Sequence, residues 1–320
     1  EYPGEYLIEI AKEIKNIDGD KWLESCTDQK MNNFFELYAV NFLVKKIKDN
    51  LSLINIFFDQ FTFESKIVKE KIIDKVFDLL KKENLIYEGT LDKPLGEDDK
   101  NWRPRKQLLF RSTNFSDDVD RAFKKNDGEW TYFANDAAYH YDKFTRGFDK
   151  LINIWGADHI GYISRMKSIV DVVSKKENYL DIFVCQIVRL IKDDKLFKMS
   201  KRDGNFITLE DIYNEVGKDS LRYFMISTKS ETPMDFNLNK VIEKNKDNPV
   251  FYCQYAYARA SSVLRKSKKF NDFKEFKSLT KCFDKNTISE YEWEIIIKLL
   301  SWPYVLKQSA ESKQPHRITN

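Results

Sequence analysis

The chain has 320 residues, 42% hydrophobic and 14% aromatic, enough for two domains or for one large domain with an insertion. Lys and Arg (54) nearly balance Asp and Glu (51), so the net charge of +3 does not by itself announce a nucleic-acid partner. The four cysteines, Cys26, Cys185, Cys253 and Cys282, lie far apart without CxxC spacing, and no apolar run approaches the ~18 residues of a membrane helix. This argues against a disulfide frame, a zinc site and a membrane partner, and a cytoplasmic location with reduced thiols is expected.

Tyr6, Leu7, Ile10, Ala11 and Ile14 recur at helical spacing, as do Phe35, Ala39, Phe42 and Leu43, so residues 5–48 are expected to be helical. The run Ile54–Phe58 reads as a short strand, with a helix near Ser65–Lys82. Residues 85–130 break into short apolar runs separated by Asp/Lys-rich turns, which predicts hairpins and loops. An α/β alternation follows. Trp130–Ala134 is a candidate strand, Asp136–Lys150 a helix, Leu151–Trp155 a buried strand closed by Gly156, Tyr162–Lys175 a helix and Asp181–Cys185 another buried strand. This spacing predicts a Rossmann-like parallel sheet with crossover helices, whose ligands bind at the carboxyl ends of the strands.

Beyond residue 205 the pattern is helical. Thr208 with Asp211 can cap one helix, and a second is expected through Leu221–Met225. Asn248-Pro249 opens a long helix with an apolar stripe of Val250, Cys253, Tyr257, Ala260 and Leu264. Thr287 with Glu290 predicts a capping box before Tyr291–Leu300. Lys240–Cys282 carries 11 Lys/Arg against 4 Asp/Glu, a local +7 that leaves −4 for the rest of the chain. Such a run is either a solvated helix surface or a phosphate-facing one.

Three elements carry candidate chemistry. Phe197-Lys198-Met199-Ser200-Lys201-Arg202-Asp203-Gly204 sets two lysines on a short loop, where mobile ammonium groups can neutralise oxygens that gain charge during phosphoryl or adenylyl transfer. A plain surface lysine turn is the alternative. Gly156-Ala157-Asp158-His159 follows an expected strand. Gly156 permits close backbone approach, Asp158 can accept from ribose hydroxyls or simply cap a helix, and His159 can donate to a substrate or nucleotide. Tyr132-Phe133-Ala134-Asn135-Asp136 offers an aromatic ring and a carboxylate, suited to a guanidinium that is always charged. The alternatives are core packing for Tyr132 and helix capping for Asp136.

The lysine loop resembles the KMSKS signature of class I aminoacyl-tRNA synthetases, with Arg202 in place of the final Ser, and Gly156–His159 resembles their Gly-x-Asp-His element. The stretch from Arg111-Ser112-Thr113 through Asp117–Arg121 and Thr131–Ala134 to Ala138–Lys143 is similar to arginyl-tRNA synthetases in particular. So are Tyr2–Leu7 and Asp247–Arg259.

The resemblance implies an arginine–tRNA ligase that uses ATP with Mg²⁺, with L-arginine and tRNA(Arg) as partners, and that is monomeric when intact. It implies catalytic roles for Lys198, Ser200 and Lys201, nucleotide contacts from Gly156, Asp158, His159 and Met199, and arginine contacts from Tyr132, Asp136 and His159. No protein-bound metal is expected.

The family's early His-x-Gly-His element is not among the three histidines here, His140, His159 and His316. The chain is therefore expected to be an internal fragment that is inactive alone. The expected fold class is α/β, a partial Rossmann-like parallel sheet with an insertion, followed by an α-helical bundle. The expected segments are 1–84, the remainder of the first catalytic half; 85–130, a connective insertion; 131–205, the second Rossmann half; 206–244, a helical stem-contact region; and 245–320, a helical anticodon-binding domain. Two other readings stand beside this one, a non-catalytic tRNA-binding remnant and another class I synthetase.

Overall fold

A computed structural model describes residues 6–23, 29–92, 104–115, 117–197, 207–267 and 288–319. In chain order the first half contains α1 (Tyr6–Asp18), α2 (Gln29–Leu53), α3 (Glu64–Lys69), α4 (Ile72–Lys82), β1 (Ile86–Gly89), β2 (Gln107–Phe110), β3 (Arg121–Lys124) and α5 (Tyr132–Thr145). Then come β4 (Leu151–Gly156), α6 (Ile163–Ser174), β5 (Leu180–Cys185), β6 (Val188–Lys192), β7 (Lys195–Leu196), α7 (Leu209–Val216) and α8 (Lys218–Ser227). The last elements are β8 (Met234–Asn237), α9 (Leu238–Val241), α10 (Pro249–Ser267), α11 (Glu290–Ser312) and α12 (His316–Thr319). The chain divides into two compact units. One holds Phe58–Ile187 with Ser230–Thr232, the other Glu1–Phe57, Val188–Lys229 and Pro233–Asn320.

The unit built on 58–187 contains the parallel pair β4–β5, in register from Leu151 opposite Leu180 to Gly156 opposite Cys185, with α6 as the crossover. Within 85–130, Ile86–Gly89, Gln107–Phe110 and Arg121–Lys124 form the antiparallel sheet β1-β2-β3. Helix α5 presses Ala134, Ala137 and Ala138, all fully buried, into a core shared with Val76, Leu80, Phe110, Phe123, Met166 and Ile169. Three small side chains on one face let α4 and α6 approach α5 closely.

The other unit has its core at Ile54, Leu190, Val216, Leu221, Phe236, Leu238 and Val241, around the sheet β7-β6-β8. Thr208 and Asp211 form a reciprocal capping box on α7. Asn248 accepts from the backbone N–H groups of Val250 and Phe251 at the start of α10. Of the stripe expected on α10, Val250 is buried while Tyr257 and Leu264 are exposed.

Four expectations are corrected. Ile54–Phe58 is not a strand. Helix α2 ends there in a Schellman turn, with Asn55 left-handed (φ 55°), Ile56 N–H donating to Leu51 O at 3.0 Å and Asn55 N–H to Ser52 O at 3.0 Å. The single helix expected near 65–82 is broken into α3 and α4 by Lys71, also left-handed (φ 53°). Trp130–Ala134 is not a strand either. Trp130 makes one bridge to Lys124, and α5 begins two residues later because Thr131 caps it. The capping box of α11 is Ser289 with Glu292, and Thr287 lies outside the described residues.

Strand β4 also differs in detail from a fully buried strand. Ile152 and Ile154 face outward while Leu151 and Asn153 are buried, the alternation of a sheet covered on one face.

Candidate active site

Thr131 starts the site. Its hydroxyl accepts from Ala134 N–H at 3.3 Å and donates toward the carbonyls of Ala122 (2.9 Å) and Phe123 (3.1 Å). The first turn of α5 is thereby tied to β3. Strand β3 is braced in turn: Arg121 grips Asp117 through two N–H donors, each at 2.7 Å, and also contacts Asp118. Burial alone would raise the Asp117 carboxyl, but the hydrogen bonds and charge of Arg121 bring it down to about 2. Asp120 accepts from the Tyr87 hydroxyl (2.7 Å) and from Thr113 Oγ1 (2.7 Å). The charged residues of the 111–121 stretch are thus a scaffold for the start of α5.

Because the helix begins at Tyr132, Tyr132, Asn135, Asp136 and Tyr139 occupy positions i, i+3, i+4 and i+7 of one face. They line a cavity of about 200 Å³ with Thr62, Glu64 and Ile67. Tyr132 is 85% exposed, so it is not a core residue, and Asp136 is not the cap of its helix. Glu64 Oε1 accepts from Asn135 Nδ2 at 2.7 Å.

Asp136 sits in the first turns of α5, with the Tyr162 hydroxyl beside it. Burial holds its carboxyl above the ordinary value. The neighbouring Tyr162 hydroxyl and the charges of Lys143 and His159 oppose this, and Glu64 adds to it. Burial and the Asp136 charge push Tyr162 up to about 12, so at neutral pH it keeps its proton and remains a donor. Tyr162 follows the carboxyl end of β4, and its ring stands 6.2 Å from that of Trp155 and 6.5 Å from Phe133.

Gly156 closes β4. A Cβ built there would lie 2.5 Å from Asp158 Oδ1, so glycine leaves the space into which this carboxylate folds back. His159 Nε2 stands 3.5 Å from Asp158 Oδ2, and both side chains are exposed. Asp158 caps no helix, since α6 begins five residues later behind Tyr162 without a side-chain cap.

Behind α5 lies a buried polar chain. Lys143 Nζ donates to Asn153 Oδ1 at 3.0 Å, Asn153 Nδ2 meets His140 Nε2 at 2.7 Å, and His140 Nδ1 meets Asp136 O at 2.7 Å. A backbone carbonyl can only accept, so Nδ1 carries the proton and the ring is neutral. Burial and the nearby Lys143 charge hold His140 down to about 4. Burial and Arg146 bring Lys143 down to about 8.

The structure therefore places Tyr132 and Asp136 in one pocket, and Gly156, Asp158 and His159 at the end of β4. Lys198, Met199, Ser200 and Lys201 lie outside the described residues. Sequence reasoning missed Glu64, Asn135, Tyr139 and Tyr162. Helical periodicity counted from Tyr132 would have found Asn135 and Tyr139, whereas nothing local marks Glu64.

Two family models match: tRNA synthetases class I (I, L, M and V) over residues 120–238, and the DALR anticodon binding domain over 253–320. Residues 120–238 are thus similar to class I tRNA synthetases, and the curated proteins that the chain is similar to include arginine–tRNA ligases. That of Orientia tsutsugamushi (strain Ikeda) is 45% identical over 320 residues, 99% of this chain and 54% of that protein. That of Pelagibacter ubique (strain HTCC1062) is 45% identical over 324 residues, with the same coverage. A solved structure of a candidate arginyl-tRNA synthetase from Campylobacter jejuni superposes with a TM-score of 0.80 at 30% identity, covering 100% of this chain and 66% of that one. The chain spans about half the length of the curated relatives it matches.

Proposed function

We propose that this chain contributes to an arginine–tRNA ligase, in which ATP activates the arginine carboxylate, pyrophosphate leaves, and the 3′-terminal hydroxyl of tRNA(Arg) attacks the adenylate. The observation that carries the reading is the pocket on α5, where the Asp136 carboxylate and the Tyr132 ring share one helix face. An acidic group beside a flat aromatic ring suits a guanidinium. Asp136 would hold the arginine side chain, with the Tyr162 hydroxyl beside the carboxylate.

His159, Asp158 and Gly156 lie where nucleotides bind in parallel α/β sheets, beyond the carboxyl ends of the strands. We assign the ribose and adenylate side of the reaction to them. Lys198, Ser200 and Lys201, with Met199 between them, would meet the triphosphate, whose Mg²⁺ enters as part of the nucleotide substrate. The basic run from Lys240 and the match to the anticodon-binding model support a tRNA contact by the C-terminal helices. Among the described residues no helix is long and apolar enough to cross a membrane.

The test is amino-acid-dependent ATP–pyrophosphate exchange and tRNA charging by the intact gene product. Arginine alone among the amino acids is expected to support both, with exchange requiring tRNA(Arg). Asp136→Asn is expected to weaken arginine binding by about 100-fold or more, the loss of a charge-assisted bidentate contact in a partly buried site. Exchange with leucine or cysteine instead of arginine would overturn the assignment. The 320-residue chain by itself is expected to show no exchange, because the His-x-Gly-His contacts to ATP are not among its residues.

A further inference from the structure

Strand β4 buries a polar side chain. Leu151 and Asn153 point to the same face of the strand, and both are buried. An apolar residue would fill that place without desolvating a polar group, whereas an amide loses water at both of its ends. Both ends of Asn153 meet α5. Its oxygen accepts from Lys143 Nζ at 3.0 Å, and its nitrogen meets His140 Nε2 at 2.7 Å. Exchanging a satisfied polar pair for apolar groups of the same shape is close to neutral for stability. What the amide adds is therefore geometry, since a satisfied network fixes distance and direction where apolar contact alone does not.

The two bonds lead to two walls of the pocket on α5. His140 continues from Asn153 to the Asp136 carbonyl at 2.7 Å, so one arm ends on the turn that carries the pocket carboxylate. Lys143 lies 4.3 Å from the centre of the Tyr139 ring, so the other arm ends on an aromatic wall of the same pocket. About 10 Å of strand separates Asn153 from Gly156, where β4 closes and Asp158 and His159 follow. Among the described residues, every hydrogen bond between α5 and β4 passes through Asn153.

We propose that Asn153 is a positioning residue, which through His140 and Lys143 sets the spacing between the pocket on α5 and the end of β4. The proposal rests on the assignment of arginine to that pocket and of the nucleotide to Gly156–His159. Adenylation needs the arginine carboxylate about 3–3.5 Å from the α-phosphorus, and a displacement of about 1 Å costs on the order of 100-fold. Losing the amide leaves each site able to bind its own ligand and changes the separation between them.

The informative probe is a ligand that spans both sites, the non-hydrolysable sulfamoyl analogue of arginyl-adenylate. Its affinity is measured by calorimetry on the intact gene product with tRNA(Arg) present. Asn153→Leu is expected to weaken the analogue about 30-fold, while arginine alone and ATP alone bind within about threefold of wild type. The kcat of pyrophosphate exchange is expected to fall by a similar factor, with both KM values within about threefold. The double variant Asn153→Leu with His140→Phe leaves neither partner unpaired. It should keep Tm within about 4 °C and still show the loss. Asn153→Gln, which keeps the amide on a longer arm, is expected to recover part of it.

An analogue affinity within about threefold of wild type would overturn the proposal. So would an equal loss for arginine alone or for ATP alone, which would make Asn153 part of one site. A collapse of Tm in the double variant would place Asn153 in the fold and overturn it as well. If the wild type exchanges with another amino acid, the arginine reading fails separately, and the adenylate analogue of that amino acid decides the spacing role by the same comparison.

Discussion

Asn153 donates its side-chain amide to Nε2 of His140 at 2.7 Å, and this contact closes a buried chain from Lys143 on one side to the Asp136 carbonyl on the other. The amide cannot turn over, because Lys143 occupies its oxygen. His140 cannot take a second proton without losing an acceptor that Asn153 uses. The ring is therefore neutral, and it braces the turn of α5 that carries Asp136.

The chain's stability is expected to depend on pH through this ring. His140 is held down to about 4, against an ordinary value of 6.5. In the window between those values the unfolded chain binds a proton that the folded chain refuses. Stability therefore falls as pH drops through that window, by about 3 kcal/mol in all. Urea unfolding followed across the window should show the slope in the wild type and its loss in His140→Gln. A wild-type midpoint that does not move between neutral and mildly acid pH would contradict the neutral, buried ring.

Thr131→Val removes the hydroxyl that caps α5 and ties it to β3. The expected loss is about 1–2 kcal/mol, within the range for a helix N-cap. Since Tyr132 and Asp136 ride on that first stretch of helix, the KM for arginine should rise along with the loss of Tm. A lower Tm with an unchanged KM would show that the cap serves stability alone.

Gly156→Ala brings a Cβ within 2.5 Å of Asp158 Oδ1, and the atom it meets is the far end of a side chain that can swing away. The fold should therefore tolerate the change, with Tm moving by less than about 2 °C. The displaced Asp158 should raise the KM for ATP while that for arginine stays close to wild type. Equal effects on both substrates would remove Asp158 from the nucleotide side.

Lys201→Ala in the intact gene product should lower kcat by about two to three orders of magnitude, as expected for loss of a preorganised charge acting on the transition state. Circular dichroism and Tm should be unchanged. An effect smaller than about threefold would return the lysine loop to an ordinary surface turn.

Much of the local structure was legible in the residues. Thr208 with Asp211 and Asn248 with Pro249 announced helix starts, because capping chemistry acts over three or four residues and needs no distant partner. The parallel pair β4–β5 was readable from two apolar runs with a helix between them. The error at Trp130–Ala134 had a physical cause. An aromatic and β-branched stretch has strand propensity, but Thr131 found carbonyl partners on β3 and started a helix instead. The run Ile54–Phe58 failed for a similar reason: a left-handed Asn55 completed the hydrogen bonds at the end of α2, so the segment turned where extension was expected.

The sequence by itself determined which candidate residues lie within a few positions of each other: Tyr132 with Asp136, Gly156 with Asp158 and His159, and the lysines of 198–201. Spacing along one element decides such neighbours, and the period of a helix is the same in any fold. Only the tertiary structure decided that Glu64 shares the pocket of Asp136, that the Tyr162 hydroxyl stands beside the Asp136 carboxylate, and that His140 is a neutral brace. Those facts come from burial and from the close approach of α3, α5 and β4, which set hydrogen-bond partners and protonation together and leave no trace in the spacing of residues.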